Sequence, residues 1–276
     1  MRNTFTDTHA VVTGGSSGIG LALVRELAAC GARVSVLALD DKDLAALAEE
    51  PPPGAYPVRT IGADVGDRER LQAAVAEAQS LSGPCDLLVT CAGVIVPGYL
   101  TELPDEEFER EMRVNYFGTL WAMRAVAPTM MGRRRGTIMA VSSFAGLVGP
   151  FGYGAYSPTK FAVRGLCEVA RTELKPYGIH VGCVFPTDTD TPQLAGEKPL
   201  KPPEAQISDI APVLTAHEVA ATILDGARRR TARVYPGRRG PVLARLVGAL
   251  PGLTATVNDR DVARARRKAD EQQQSV

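Results

Sequence analysis

The chain has 276 residues, of which 45% are hydrophobic and 22% charged, and its formal net charge is zero. This is the make-up of an ordinary globular protein with enough apolar side chains for a full core, and the neutral total gives no pointer to nucleic acid as a partner. Five scattered cysteines (Cys30, Cys85, Cys91, Cys167, Cys183) are odd in number and lack CxxC spacing, which argues against a disulfide framework or zinc site and for reduced thiols in a cytoplasmic setting.

The N-terminus passes almost directly into a strand, His9–Thr13, with no signal-peptide core. A helix over Ile19–Cys30 follows, ended by Gly31, then a second strand at Arg33–Leu39. Lys42–Glu50 reads as a helix stopped by the Pro51-Pro52-Pro53-Gly54 turn, Tyr56–Ile61 as a strand, Arg68–Leu81 as a helix and Asp86–Thr90 as a fourth strand. Pro104 and Asp105 open one long helical pattern to about Met131. Thr137–Ser142 is a strand, Tyr156–Tyr177 a helix, His180–Phe185 a strand, His217–Arg230 a helix and Ala232–Tyr235 an edge strand. Strands apolar on both faces, alternating with helices, predict one parallel sheet covered by helices on both sides. No stretch is long and apolar enough for a membrane span.

The first strand runs into Thr13-Gly14-Gly15-Ser16-Ser17-Gly18-Ile19-Gly20. Glycines there allow a tight turn and close approach of backbone to a pyrophosphate, and the following helix offers its N-terminal N–H groups to that anion. The turn sits between a strand and a helix, the context that a nucleotide-binding reading requires. After the third strand, Asp64 and Val65 reach the same edge; Asp64 suits either an adenine amino group or a plain turn. Cys91-Ala92-Gly93 ends the fourth strand with small residues against which a ligand can lie.

Tyr156 and Lys160 stand four apart, on one face of a helix. A free tyrosine titrates near 10; a cation beside it favours the phenolate and lowers that value. Ser143 ends the fifth strand thirteen residues earlier and can donate to a substrate oxygen.

The glycine turn, Cys91-Ala92-Gly93, Asn115 in Arg113-Val114-Asn115-Tyr116, Ser142-Ser143 and Tyr156-x-x-x-Lys160 occur in the order found in short-chain dehydrogenases/reductases, and the chain resembles that family over about residues 8–235. The resemblance implies a Rossmann-like, doubly wound fold of about seven parallel strands in one domain, residues 1–235, with 236–276 as a C-terminal extension. It implies a catalytic set in which Asn115 holds a water in a proton relay, Ser143 polarises the carbonyl, Tyr156 transfers the proton and Lys160 binds ribose and tunes Tyr156. Cofactor contacts are expected from Gly14, Ser16, Ser17, Gly18, Ile19, Gly20, Leu39, Asp40, Asp64, Val65, Cys91, Ala92, Gly93, Tyr156, Lys160, Pro186, Thr189 and Thr191. No metal site is expected. Val96-Pro97-Gly98-Tyr99, Asn115-Tyr116-Phe117-Gly118-Thr119, Ala155-Tyr156-Ser157-Pro158-Thr159-Lys160-Phe161 and the segment Asp188-Thr189-Asp190-Thr191-Pro192 look like those of 3-ketodihydrosphingosine reductases, which act on a long-chain ketone. Another ketone (β-ketoacyl, steroid or polyketide) is the alternative, and a silent nucleotide-binding regulator the third reading.

NADPH enzymes of this kind usually carry an arginine just past the second strand, where this chain has Leu39, followed by Asp40 and Asp41. The resemblance favours NADP(H) and the local chemistry NAD(H); NADP(H) is the expectation, with NAD(H) open. Oligomers are expected from the long helices, as a homodimer or homotetramer. From Asp225 onward 12 Lys/Arg face 5 Asp/Glu, and Gly240–Val257 is apolar apart from Arg245. That tail suits a helix packed on the sheet or on a second subunit, or a peripheral contact with an anionic membrane. Asp188 and Asp190 are candidates to structure their loop or to meet a substrate amine.

Overall fold

The computed structural model describes residues 5–39, 41–207 and 212–250, with scattered residues between 252 and 267. Its strands are β1 (His9–Thr13), β2 (Arg33–Ala38), β3 (Arg59–Gly62), β4 (Leu87–Thr90), β5 (Gly136–Val141), β6 (Ile179–Val184), β7 (Thr189–Asp190), β8 (Leu214–Thr215) and β9 (Arg233–Val234). The helices are α1 (Gly18–Ala29), α2 (Lys42–Glu49), α3 (Arg68–Ser82), α4 (Asp105–Glu111), α5 (Gly118–Arg133), α6 (Tyr156–Leu174), α7 (Pro192–Glu197), α8 (Ala216–Arg229) and α9 (Gly240–Ala249). Seven strands form one sheet in the order β3-β2-β1-β4-β5-β6-β9, every pair parallel. The expected doubly wound parallel sheet is thus the observed architecture. The winding reverses between β1 and β4, and a crevice opens at the carboxyl ends of those strands.

Alternation along the strands divides the core. Ala10, Val12, Val34 and Val36 face Leu23 and Leu27 of α1 and Val219 and Ile223 of α8. Val11, Leu37, Leu88 and Ile138 face Leu71 and Val75 of α3, Val126 of α5 and Val163 of α6. Each fully buried aliphatic side chain contributes about 1.5–3 kcal/mol relative to exposure, so the site rests on two rigid layers.

Three departures from the sequence reading have physical causes. β3 begins at Arg59, not Tyr56, because Pro57 cannot donate to a ladder. The long helix expected over 105–131 is divided: α4 passes through a π-helical stretch, Met112–Phe117, before α5 begins. The helix from Tyr156 ends at Leu174, and a 3-10 turn, Lys175–Tyr177, carries the chain into Gly178 at φ 74°. β7, β8 and α7 were not read from the sequence; all three are too short to show periodicity.

In the tail, α9 covers the first part of the apolar run, and most of the remainder lies outside the described residues. Val242, Leu246 and Leu250, spaced four apart, are 56%, 48% and 46% exposed, so this apolar stripe is not spent on the sheet. Among the described residues no helix is long and apolar enough to cross a membrane.

Candidate active site

At the end of β1 the chain turns through Gly14 at φ 67°. A Cβ on Gly14 would lie 2.6 Å from the Ala92 Cα, and one on Gly20 would lie 2.0 Å from the Gly14 carbonyl oxygen. Only glycine lets β1, the turn and β4 come this close. Thr13 Oγ1 ties the same ends together by accepting from the N–H groups of Cys91 (3.2 Å) and Ala92 (3.3 Å). Ser17 begins the twelve-residue α1 without capping it through its side chain. The first-turn N–H groups of α1 therefore remain available to an anion in the cleft that Ser17, Gly18, Ile19 and Gly20 line.

The cleft has a volume of about 290 Å³ and runs from that turn to the ends of β5 and β6. Gly14, Cys91, Ala92, Gly93, Ser143, Tyr156, Lys160, Pro186, Thr189 and Thr191 line it as well. Ser16, Leu39, Asp64 and Val65 do not. Leu39 is 55% exposed just past β2. Asp64 Oδ1 accepts the Gly66 N–H at 2.7 Å, closing a turn of its own. Val65 is buried against the position a Cβ of Gly118 would take. Asp40 lies outside the described residues.

Ser143 follows β5 and caps a short 3-10 turn, accepting the Ala145 N–H at 3.1 Å. Tyr156, at the start of α6, lines the cleft beside Ser143. Lys160, one turn on, is buried and donates to the Val141 carbonyl at 3.2 Å; its Nζ is 5.3 Å from the centre of the Tyr156 ring. Burial pushes the Tyr156 phenol well above its ordinary range, with the neighbouring Ser143 hydroxyl pulling the other way. Burial also brings the Lys160 ammonium down to about 8. The expected lowering of Tyr156 by Lys160 is therefore not a property of the protein alone. Desolvation disfavours both charged forms and outweighs their attraction.

Asn115 sits in the π-helical stretch, where the extra residue per turn re-aims a side chain. Its Oδ1 accepts the Val94 N–H (2.9 Å), and its Nδ2 donates to the Val94 carbonyl (3.0 Å) and to Thr159 Oγ1 (3.0 Å). Gly93 packs between Asn115 and Lys160: a Cβ there would lie 3.1 Å from Asn115 Oδ1 and 3.5 Å from Lys160 Nζ.

The loop after β6 closes the far wall. Thr189 Oγ1 donates to the Thr187 carbonyl (2.9 Å); Thr191 Oγ1 donates to the Thr189 carbonyl (3.2 Å) and accepts the Leu194 N–H, capping α7 (3.3 Å). Both hydroxyls thus shape the loop they stand in. Asp188 lines the cleft and Asp190 stands outside it; both are exposed. Beyond Tyr156, three groups that the sequence reading missed join Asp188. The carboxylate of Glu197 pairs with Lys201 at 3.0 Å, and Lys201 Nζ lies 5.7 Å from the Tyr153 ring centre. Burial raises the Glu197 carboxyl, with Asp188 adding to the effect. Burial works against the Lys201 ammonium, yet hydrogen bonds to Tyr153 and Glu197 hold it above its usual range. Burial takes Tyr153 to about 12. The signals present were the four-residue spacing of Glu197 and Lys201 and a second tyrosine three before Tyr156.

A family model described as short chain dehydrogenase matches residues 8–200. The chain belongs to the short-chain dehydrogenase family. It is 40% identical over 253 residues to the 3-dehydrosphinganine reductase of Danio rerio, covering 90% of this chain and 76% of the relative. Against the 3-ketodihydrosphingosine reductase of Bos taurus the identity is 38% over the same shares. Among solved structures, a short-chain type dehydrogenase/reductase from Mycobacterium ulcerans superposes with a TM-score of 0.74 at 27% identity, over 83% of this chain and 87% of that one. Levodione reductase does so at 0.72 and 26%, over 81% and 93%. The protein is accordingly a nicotinamide-dependent oxidoreductase that interconverts a carbonyl and an alcohol. The uncapped start of α1 and the close approach of Gly14 to Ala92 are features that fit a dinucleotide pyrophosphate.

Proposed function

We propose that this short-chain dehydrogenase reduces the ketone of 3-ketodihydrosphingosine, a long-chain 2-amino-1-hydroxy-3-ketone, with NADPH. The observation that carries the reading is the meeting of the Tyr156 phenol, the Ser143 hydroxyl and the Lys160 ammonium in one buried cleft continuous with the glycine turn. When bound, the reduced nicotinamide supplies a hydride to the carbonyl carbon. Ser143 donates to the carbonyl oxygen and orients it, and Tyr156 gives that oxygen its proton. Lys160 holds positive charge beside the phenolate left behind, and Asn115 fixes the β4–α4 loop against Lys160.

The substrate class follows from the far end of the cleft. Ile95, Phe144, Val148 and Leu194 offer an apolar wall for an alkyl chain. Glu197 is matched by Lys201 at 3.0 Å, which leaves Asp188 as the carboxylate at this end of the cleft offered to a substrate amine. The names of the relatives agree with that chemistry.

For the cofactor, a carboxylate just past β2 that is free to accept from ribose hydroxyls would suit NADH, and Asp41 is one of two in that place. Instead it caps α2, accepting the N–H groups of Asp43 (3.0 Å) and Leu44 (3.1 Å). That withdraws one argument for NADH, and the choice of NADPH rests on the resemblance to NADPH-dependent relatives. We further propose a homodimer through α5 and α6, where Phe117, just before α5, and Phe161 and Val169 on α6 are 39%, 41% and 54% exposed. A peripheral contact of the α9 stripe with the cytosolic face of an anionic membrane is proposed as well.

The test is oxidation of NADPH and of NADH with 3-ketodihydrosphingosine, an acetoacetyl thioester and a steroid ketone in parallel. The sphingoid ketone with NADPH is expected to give the highest kcat/KM. Preference for the thioester or steroid would reassign the substrate, and no turnover with any would point to a nucleotide-binding protein without chemistry.

A further inference from the structure

Tyr153 stands three residues before Tyr156 and lines the same cleft. The reduction assigned to Ser143, Tyr156 and Lys160 makes no use of it. The two tyrosine rings have their centres 6.2 Å apart. Lys201 Nζ lies 5.7 Å from the Tyr153 ring centre and 3.0 Å from Glu197 Oε1. Glu197 and Lys201 also line the cleft, with side chains only 6% and 11% exposed. A buried ion pair adds little net stability, because desolvation offsets the attraction. Such a pair in the wall of a ligand cleft therefore points to a role in binding.

The backbone holds Tyr153 in place. Gly152, at φ 80°, accepts the Gly98 N–H through its carbonyl at 2.8 Å, and Tyr153 itself bridges to Gly98. The Tyr153 carbonyl accepts the N–H of Ser157, in the first turn of α6, at 2.8 Å. Tyr153 packs with Tyr156, Ala205 and Ile95 in a small apolar cluster. A Cβ on Gly152 would lie 3.2 Å from Pro202 Cδ, so the segment after α7 fits closely against this turn. A group fixed in this way is preorganised for recognition.

Charge decides what the group recognises. Glu197 and Lys201 balance each other, so this wall suits a neutral polar partner better than an ammonium or a carboxylate. Burial takes Tyr153 to about 12, so its hydroxyl keeps its proton near neutral pH and can both donate and accept. In the substrate proposed above, Ser143 and Tyr156 take the ketone and Asp188 the amine. The polar group left is the neutral C1 hydroxyl, separated from the ketone carbon by a single carbon. A hydroxyl so near the ketone falls beside Tyr156, where Tyr153 stands.

We propose that Tyr153, braced by the Glu197–Lys201 pair, is a specificity-determining residue that binds the C1 hydroxyl of the substrate. The inference rests on the reading of the substrate as a 2-amino-1-hydroxy-3-ketone. Tyr153 exchanges a hydrogen bond with that hydroxyl, and Lys201 is a positioning residue that holds the phenol for it. A ketone without the hydroxyl forfeits the bond inside a desolvated site, where its loss becomes discrimination between substrates.

The test compares kcat/KM for 3-ketodihydrosphingosine, the same ketone lacking the 1-hydroxyl, an acetoacetyl thioester and a steroid ketone. The proteins are the wild type, Tyr153→Phe, Lys201→Met and Lys201→Arg. The wild type is expected to favour the hydroxylated over the dehydroxylated amino ketone by about tenfold or more. Tyr153→Phe keeps the ring and removes only the hydroxyl; it should bring that ratio to within about twofold, the loss falling on the hydroxylated ketone. Lys201→Met should lower the same ratio and Lys201→Arg should restore most of it. A wild-type ratio near one, or a Tyr153→Phe ratio equal to that of the wild type, would overturn the subsite. So would an equal loss on both amino ketones, which is the mark of a packing role. A Lys201→Met ratio equal to that of the wild type would overturn the bracing role. Turnover of the thioester or steroid with neither amino ketone accepted would refute the substrate reading and the subsite with it. Equal turnover of both amino ketones would refute the subsite alone. Should Tyr153→Phe not fold, Glu197→Gln, which breaks the pair, is read by the same ratio.

Discussion

Burial of Glu111 makes a stability prediction that does not depend on catalysis. A carboxyl raised from 4.5 to about 7 holds its proton more tightly in the folded than in the unfolded state. Below about pH 4.5 both states are protonated and the group adds no pH dependence. As pH rises toward 7 the unfolded chain releases the proton first, so the wild type loses stability, and the loss levels off once the folded carboxyl has ionised. The full difference is about 3 kcal/mol, undiscounted for solvent screening because the side chain is 0% exposed. Glu111→Gln has no proton to release. Urea denaturation of both proteins from about pH 4.5 to about pH 8 is expected to shift their stability difference by roughly 3 kcal/mol in favour of the variant, since titrating groups remote from Glu111 cancel in the comparison. A difference that stays flat with pH would refute the reasoning: the carboxyl would then be solvated or paired, and not isolated in the core.

Four further outcomes are expected. Tyr156→Phe lowers kcat by about 10²–10⁴, the usual worth of a positioned general acid, with cofactor affinity within about twofold; near-normal turnover would exclude Tyr156 as the donor. Leu39→Arg raises the NADPH/NADH ratio of kcat/KM by about tenfold or more, as a charge-assisted pair to a phosphate should; an unmoved ratio would mean that β2 does not read the ribose. Asp188→Asn raises KM for the amino ketone by about two- to five-fold, the range of a partly exposed ion pair, and leaves KM for a ketone lacking the amine unchanged; equal effects on both would remove Asp188 from amine recognition. Full-length protein should pellet with anionic liposomes at low salt more than a chain ended before Gly240, and equal pelleting would refute the membrane contact of α9.

How much of this was legible beforehand depends on how local each signal is. The strands from His9, Arg33, Leu87, Gly136 and Ile179 announced themselves as apolar runs between helical patterns, and the parallel sheet followed because both of their faces are apolar. Most strand boundaries moved by a residue, and the largest shift came where chain chemistry intervened, at Pro57 before β3. The chemical order of the chain was also written in it: a glycine turn after a strand, then Asn115, Ser143, Tyr156 and Lys160. By itself, then, the sequence determined the fold class, the end of the sheet at which a ligand binds and the side chains offered to it.

Tertiary structure decided what those side chains experience. The titration of Tyr156 and Lys160 depends on how deeply α6 is covered, and burial reversed the direction expected for the phenol. The π-helical stretch that aims Asn115 inward breaks a periodicity that looked continuous from Asp105 to Met131. Asp188 and Asp190 are equivalent in the sequence, yet the loop turns one into the cleft and the other outward. Glu111 went unnoticed because a charged residue on a helical pattern reads as solvated surface, and Tyr153, Glu197 and Lys201 because they stand in turns and a short helix that show no periodicity. Only the packing of α4 against the β4–α4 loop, and of α7 over the cleft, removes water from them. Residue type and spacing are local properties of a chain, whereas desolvation is set by whatever the fold brings around each group.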